Sequence, residues 1–123
     1  MNSNVQSYKD LVVWQKSMDL VFEIYRITKQ YPREEIFGLT SQSKRSAVSI
    51  PSNIAEGSRR SSRKDYRIFL IRAFGSGAEL ETQILIAKGL PLGKSISFEL
   101  VDSLLNEVMK MLNVMINKLG QRA

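Results

Sequence analysis

Hydrophobic residues recur every three or four positions along most of the chain, which is the spacing of an amphipathic α-helix. The pattern predicts four helices, over residues 11–31, 34–56, 63–88 and 97–119. Pro32 ends the first helix, Gly57 follows the second, and the segment KGLPLGK separates the last two. No stretch shows the alternation that is typical of a β-strand. We therefore predict an all-α fold, an up-down-up-down four-helix bundle in a single domain over residues 1–123.

Helix-breaking residues lie inside two of the predicted helices. The hydrophobic spacing of the second helix continues through Pro51, so we predict one helix with a proline kink. The third helix contains Gly75 and Gly77, each of which costs roughly 1 kcal/mol relative to alanine. Since the apolar stripe keeps its phase, we expect these glycines to allow close packing against small residues of the second helix. Those small residues are Ser43, Ser46, Ala47 and Ser49. The alternative is that the glycines break the third helix.

Composition excludes several kinds of catalytic site. The 123 residues include no cysteine and no histidine. A disulfide framework, a zinc site of Cys and His ligands and a Cys/His nucleophile pair are therefore excluded. Only carboxylates, Lys, Tyr and Ser remain as catalytic candidates. We expect a protein that is not an enzyme and that has no metal site and no cofactor.

The chain shows no sign of membrane insertion or export. Its start, MNSNVQSYKD, lacks the charged segment and apolar run of a signal peptide. No apolar stretch approaches the ~20 residues that cross a bilayer. We expect a cytoplasmic protein that does not bind membranes.

Positive charge is concentrated in one segment. The net charge is +6, and residues 44–72 hold eight basic and two acidic residues, whereas the rest of the chain balances. Such a local excess is typical of a surface that binds a polyanion, here RNA or DNA, because Arg and Lys neutralise phosphates. The candidate nucleic-acid-binding residues are Lys44, Arg45, Arg59, Arg60, Arg63, Lys64 and Arg67. The alternative is a solvated turn between two helices.

The acidic residues of the third helix are poor candidates for catalysis. Glu79 and Glu81 are two positions apart, so they do not share a helix face. We expect one of them to pair with Lys44 or Arg45 across the second and third helices. Such a pair would set the register of these helices or a subunit contact.

Two further sets of side chains have more than one interpretation. Met109, Met111 and Met115 lie on the fourth helix, whose apolar face is wider than one neighbour needs. A methionine-rich face can be an adaptable binding groove, but we expect a subunit interface. Tyr8 and Trp14 can stack on unpaired bases. We expect instead that they seal one end of the bundle.

Three segments resemble a known family. YKDLVVWQKSMDLV, SKRSAVSIPSNIAEGSRR and FLIRAFGSGAELETQILIA are similar to the four-helix-bundle proteins encoded in intervening sequences of bacterial 23S rRNA genes. The resemblance extends over residues 8–119. The same family includes the accessory variability determinant of diversity-generating retroelements, which is implicated in binding nucleic acid and a reverse transcriptase. The resemblance implies a homopentameric ring, but most other members have no assigned activity.

Together these observations predict a homo-oligomer that binds nucleic acid where its second and third helices meet. The alternative is a protein-interaction scaffold, or an accessory subunit of a nucleic-acid enzyme such as a reverse transcriptase. In that case the basic surface would receive an acidic face of the protein partner.

Overall fold

The computed structural model describes residues 7–121, which fold into four α-helices and the segments that connect them. The helices are α1 (Val12–Thr28), α2 (Ser41–Ser58), α3 (Arg63–Gly89) and α4 (Glu99–Gly120). Each helix packs against the next, and α1 also packs against α4. The predicted all-α four-helix bundle is confirmed.

The core is built from the apolar stripes of all four helices. Its fully buried large side chains are Leu20, Ile24 and Ile27 of α1, Ile50 and Ile54 of α2, Leu70, Leu80 and Ile84 of α3, and Val101, Val108 and Leu112 of α4. Burying one such side chain contributes roughly 1.5–3 kcal/mol. Shared burial therefore stabilises the helices more than their own propensity does.

The connection between α1 and α2 differs from the prediction. The second helix was predicted to begin at residue 34, but α2 begins at Ser41 after a 3-10 turn and a π-helical turn. Within the π-helical turn, Gly38 has φ −111° and ψ −116°, which lie outside the helical region. The helix therefore cannot continue through this point. The backbone N–H of Leu39 donates to the Glu35 carboxylate (3.0 Å), so an acidic side chain caps the π-helical turn.

Pro51 lies inside α2, and it is buried. α2 is continuous on both sides of it, so the prediction of one helix rather than two is confirmed. Pro51 has no N–H to donate to the carbonyl of Ala47. The bend that we expect from this loss stays a prediction. The non-helical backbone angles lie instead at Gly38, before α2 begins.

The prediction that Gly57 follows the end of the second helix is wrong. Gly57 is buried in the last turn of α2, which ends at Ser58. A Cβ at this position would lie 2.7 Å from the Cβ of Phe69 and 3.1 Å from the ring of Tyr66, both on α3. Gly57 is therefore a packing residue that lets α2 and α3 approach closely where they meet.

The glycines of α3 also behave differently from the prediction. α3 is unbroken, so the alternative of a broken helix is wrong. Gly77 faces α4, where a Cβ would collide with the sulfur of Met109, and Gly75 is exposed beside open space. The predicted packing of both glycines against α2 is therefore wrong. Ser76 makes that contact instead, donating a hydrogen bond to the Ser49 hydroxyl (2.8 Å).

Replacing Gly57 by alanine should lower the free energy of unfolding by about 1–2 kcal/mol, because the crowding outweighs the gain in helix propensity. The matched control is Gly75→Ala, which adds a methyl group in open space and should raise that free energy by about 0.5–1 kcal/mol. Urea denaturation of both variants measures the difference. Equal effects of the two substitutions would contradict the close approach at Gly57.

Candidate nucleic-acid interface

The turn between α2 and α3 lies where four parts of the chain meet. The Arg59 guanidinium lies 5.5 Å from the ring centre of Tyr8, in the turn before α1. Arg63 donates to the carbonyl of Lys118, in the last turn of α4. The start of the described chain and the end of α4 therefore flank the α2–α3 turn. We call this end of the bundle the junction end.

Two serines shape the turn itself. The backbone N–H of Asp65 donates to the Ser62 hydroxyl (3.0 Å), which caps the start of α3. The Ser58 hydroxyl donates to the carbonyl of Ala55 (2.8 Å). These two hydroxyls already have local partners, whereas Ser61 is exposed.

Aromatic rings and one carboxylate position three of the arginines. Arg60 donates to the Glu56 carboxylate (2.7 Å), and its guanidinium lies 4.6 Å from the ring centre of Phe69. Arg72 also contacts Phe69, at 4.8 Å, and Arg59 lies over Tyr8. Exposed contacts of this kind contribute about 0.5–1 kcal/mol each. They orient the guanidinium groups, and of these three arginines only Arg60 has its charge paired with an acid within residues 7–121.

Arg63 and Arg67 hold the end of α4. Arg63 donates to the Lys118 carbonyl at 3.1 Å, and Arg67 donates to the Ile116 carbonyl at 2.9 Å. The last carbonyls of a helix carry partial negative charge, so cations are favourable there, and the Lys118 carbonyl also accepts from the backbone N–H of Gln121 (3.3 Å). A carbonyl does not cancel a full positive charge. Both arginines are therefore fixed in place and remain cationic.

The structure separates two predicted site residues from the rest. Lys44 and Arg45 lie in the first turn of α2, whereas Arg59 follows its end. At ~1.5 Å per residue, this places them about 20 Å from the α2–α3 turn. Lys44 lies 4.6 Å from the ring centre of Tyr25 on α1. Five of the seven predicted residues therefore lie together at the junction end, and Lys44 and Arg45 lie near the other end of α2.

The predicted ion pair between α2 and α3 does not form within residues 7–121 of a single chain, and a pair across a subunit contact stays a prediction. Within residues 7–121, neither Glu79 nor Glu81 forms an ion pair, and both are exposed. The ion pairs between helices join Lys16 to Glu107 and Lys88 to Asp102. The helical phase of these residues points the glutamates to solvent instead of to α2.

Two lysines that the sequence did not indicate lie at the junction end. Lys9 is exposed beside Tyr8, whose ring contacts Arg59, and Lys118 is exposed where Arg63 binds its carbonyl. Neither belongs to the basic segment, so only their position in the bundle identifies them. We define the junction surface as Arg59, Arg60, Arg63, Lys64, Arg67, Lys9 and Lys118.

Other parts of the structure offer weaker sites. A cleft of about 290 Å³ between α3 and α4 contains Glu81, Lys88 and Asp102. The Lys88 and Asp102 side chains are paired at 2.7 Å but are 37% and 48% exposed, so this is a solvated ion pair. Within residues 7–121 there is no group of three acidic side chains that could hold a metal ion. Burial raises the pKa of Tyr66, next to Gly57, so its phenol is a neutral packing group.

The family whose model matches is described as 23S rRNA-intervening sequence protein, and the match covers residues 9–114. The chain belongs to this family. A crystal structure of a protein of unknown function from the S23 ribosomal protein family of Bacteroides thetaiotaomicron VPI-5482 is similar to it, with a TM-score of 0.70 and 25% identity. The similarity covers 89% of this chain and 100% of that one. Curated proteins provide no match.

Within residues 7–121, no helix has both the length and the apolarity that a membrane span requires.

Substituting Arg67 by methionine should lower the free energy of unfolding by about 1–2 kcal/mol, because the end of α4 loses a charge-assisted hydrogen bond. Amide hydrogen exchange should accelerate most over residues 117–121. Lys64→Met removes the same charge from an exposed side chain and should change stability by less than about 0.5 kcal/mol. Similar losses in the two variants would show that charge, and not the contact to α4, is responsible.

Proposed function

We propose that this protein binds RNA or DNA through the junction surface and that it is not an enzyme. The observation that carries the proposal is the exposure of Arg59, Arg60, Arg63 and Lys64 around a single turn. Contacts with rings and carbonyls hold three of these side chains in place. A nucleic acid would therefore meet cations that are already ordered.

The chemistry of this surface suits phosphate groups. Guanidinium groups bind phosphate oxygens through paired N–H donors, and the exposed Ser61 hydroxyl can add another hydrogen bond. Such contacts release condensed counterions, so binding weakens steeply as salt rises. No motif that reads base edges accompanies the surface. Specificity would then rest on the shape of the nucleic acid.

We also propose that the protein assembles into the homopentamer that the family resemblance implies. A groove of about 520 Å³ between α1 and α4 supports a subunit interface on this face. Its lining is apolar and includes Val12, Met111, Val114 and Met115. Val12 and Val114 are more than half exposed. A ring would repeat the junction surface in every subunit and so multiply weak contacts.

The alternative ligand is a protein with an acidic face. The resemblance to the accessory determinant of retroelements makes a cytoplasmic reverse transcriptase one such candidate. The same cations would bind carboxylates, but without the steep dependence on salt that phosphate counterions cause. Purified protein that fails to bind any RNA or DNA at ~50 mM salt would favour this alternative.

Neutralising the exposed cations of the turn tests the nucleic-acid proposal. The variant Arg59→Gln/Arg60→Gln/Lys64→Gln should reduce affinity for a short RNA strongly at ~50 mM salt. The slope of log affinity against log salt should fall by about one for each phosphate contact removed. Fluorescence anisotropy of labelled RNA over a salt series measures both quantities.

The control makes the same charge change at the opposite end of the bundle. Lys29→Gln/Arg33→Gln/Lys94→Gln removes three exposed charges from the α1–α2 and α3–α4 connections. It should leave RNA affinity close to that of the original protein. Equal losses in the two variants would mean that net charge, and not the junction surface, determines binding.

The oligomer proposal has its own test. Val114→Lys should prevent assembly by placing a charge in the α1–α4 groove, and the measured mass should fall from five times 14.0 kDa towards that of the single chain. Leu85→Lys is the matched control, since Leu85 and Val114 are 59% and 56% exposed. Light scattering after size-exclusion chromatography gives the masses. An unchanged mass for Val114→Lys would place the interface elsewhere.

A further inference from the structure

A groove between α1 and α2 opens beside the junction surface. Its volume is about 330 Å³, within the range of small-ligand sites, and it is lined by Tyr8, Trp14, Pro51, Ser52 and Ala55 among others. The rings of Tyr8 and Trp14 meet edge to face, 5.4 Å apart at their centres. In an edge-to-face pair, one ring presents only its edge to the other ring, so neither of its two faces is covered by that contact. Trp14 also packs against the core, as expected for a residue that closes this end of the bundle.

The groove and the basic turn are continuous. Ser52, Ala55 and Arg59 are spaced by three and four positions, so they follow one side of α2 from the groove to the turn. The Arg59 guanidinium lies over the Tyr8 ring at 5.5 Å. A phosphate bound by Arg59 would therefore lie directly beside the aromatic lining.

Local hydrogen bonds hold the turn that places Tyr8 in the lining of the groove. The backbone N–H of Lys9 donates to the Ser7 hydroxyl (3.1 Å), which caps the turn that contains Tyr8. The side-chain amide of Gln15, on α1, donates to the carbonyl of Lys9 (2.9 Å). These hydrogen bonds attach the turn to α1. Binding a ligand would therefore cost little conformational entropy for ordering the Tyr8 ring.

We propose that the α1–α2 groove accepts an unpaired nucleobase from a strand whose phosphate is bound by Arg59. Aromatic side chains stack on the faces of bases, and a neighbouring arginine holds the backbone. Bases inside a duplex are stacked on one another and cannot enter such a groove. This inference rests on the proposed function and gives it a substrate class, which is single-stranded or looped nucleic acid.

Other exposed aromatic residues lack one part of this arrangement. Tyr25 is 41% exposed and has Lys44 at its ring, but it lies towards the opposite end of the bundle. Phe22 and Phe37 are more exposed still, and neither has a cation at its ring within residues 7–121. The α1–α2 groove combines two aromatic rings with an arginine of the junction surface.

The fluorescence of Trp14 reports directly on the groove, because Trp14 is the only tryptophan in the chain. At ~50 mM salt, a short oligouridylate should quench this fluorescence, whereas an RNA duplex of the same length should bind with little quenching. Tyr8→Leu should weaken oligouridylate binding by about fivefold or more while duplex affinity stays the same. Tyr8→Phe, which keeps the ring, should retain the affinity of the original protein.

Tyr25→Leu is the matched control and should change neither affinity nor quenching. Circular dichroism establishes that each variant is folded. Salt-dependent binding without quenching, and with Tyr8→Leu unchanged, would overturn the groove proposal and leave the proposed function intact. Absence of binding to both the oligouridylate and the duplex would overturn both.

Discussion

The close approach of α2 and α3 is the constraint on which the rest of the structure depends. Where the two helices meet, Gly57 leaves no room for a side chain against Phe69 and Tyr66. Further along, the hydroxyls of Ser49 and Ser76 are bonded to each other. These contacts fix how the end of α2 is positioned relative to the start of α3. The turn that carries the exposed arginines is therefore positioned by small residues that have no charge.

The same helix pair organises the other two helices at the junction end. The first turns of α3 supply Arg63 and Arg67 to the last carbonyls of α4, and the end of α2 places Arg59 over Tyr8 before α1. Cations that serve as helix caps thus also form a basic surface. One set of side chains stabilises the bundle and gives this end its positive charge, so a substitution that changes one property would alter the other.

Hydrophobic spacing predicted the four helices and their order well, because burial of a stripe leaves a periodic signal in the sequence. It predicted less about contacts between helices. The role of Gly57 depends on the rotation of α2 against α3, and a glycine near a helix end looks the same whether it caps or packs. Gly77 likewise contacts α4 and not α2. Neither rotation leaves a trace in the local pattern.

The site was predicted in part for the same reason. Proximity along the chain correctly joined Arg59 to Arg67, because they span one turn and the start of one helix. It also grouped with them Lys44 and Arg45, which lie near the other end of α2, and it did not indicate Lys9 and Lys118, which the topology brings to the junction end. The meeting of Tyr8 with Arg59 has no signal in the sequence, since about fifty residues separate them.

The location of both extremities of the described chain has a practical consequence. Ser7 precedes the turn beside Arg59, and Gln121 follows the turn of α4 that Arg63 holds. A fluorophore attached close to Ser7 or Gln121 would therefore lie next to the junction surface. The exposed Lys94, in the loop before α4, faces away at the far end of the bundle. Immobilisation through that lysine would leave the basic face open to solution.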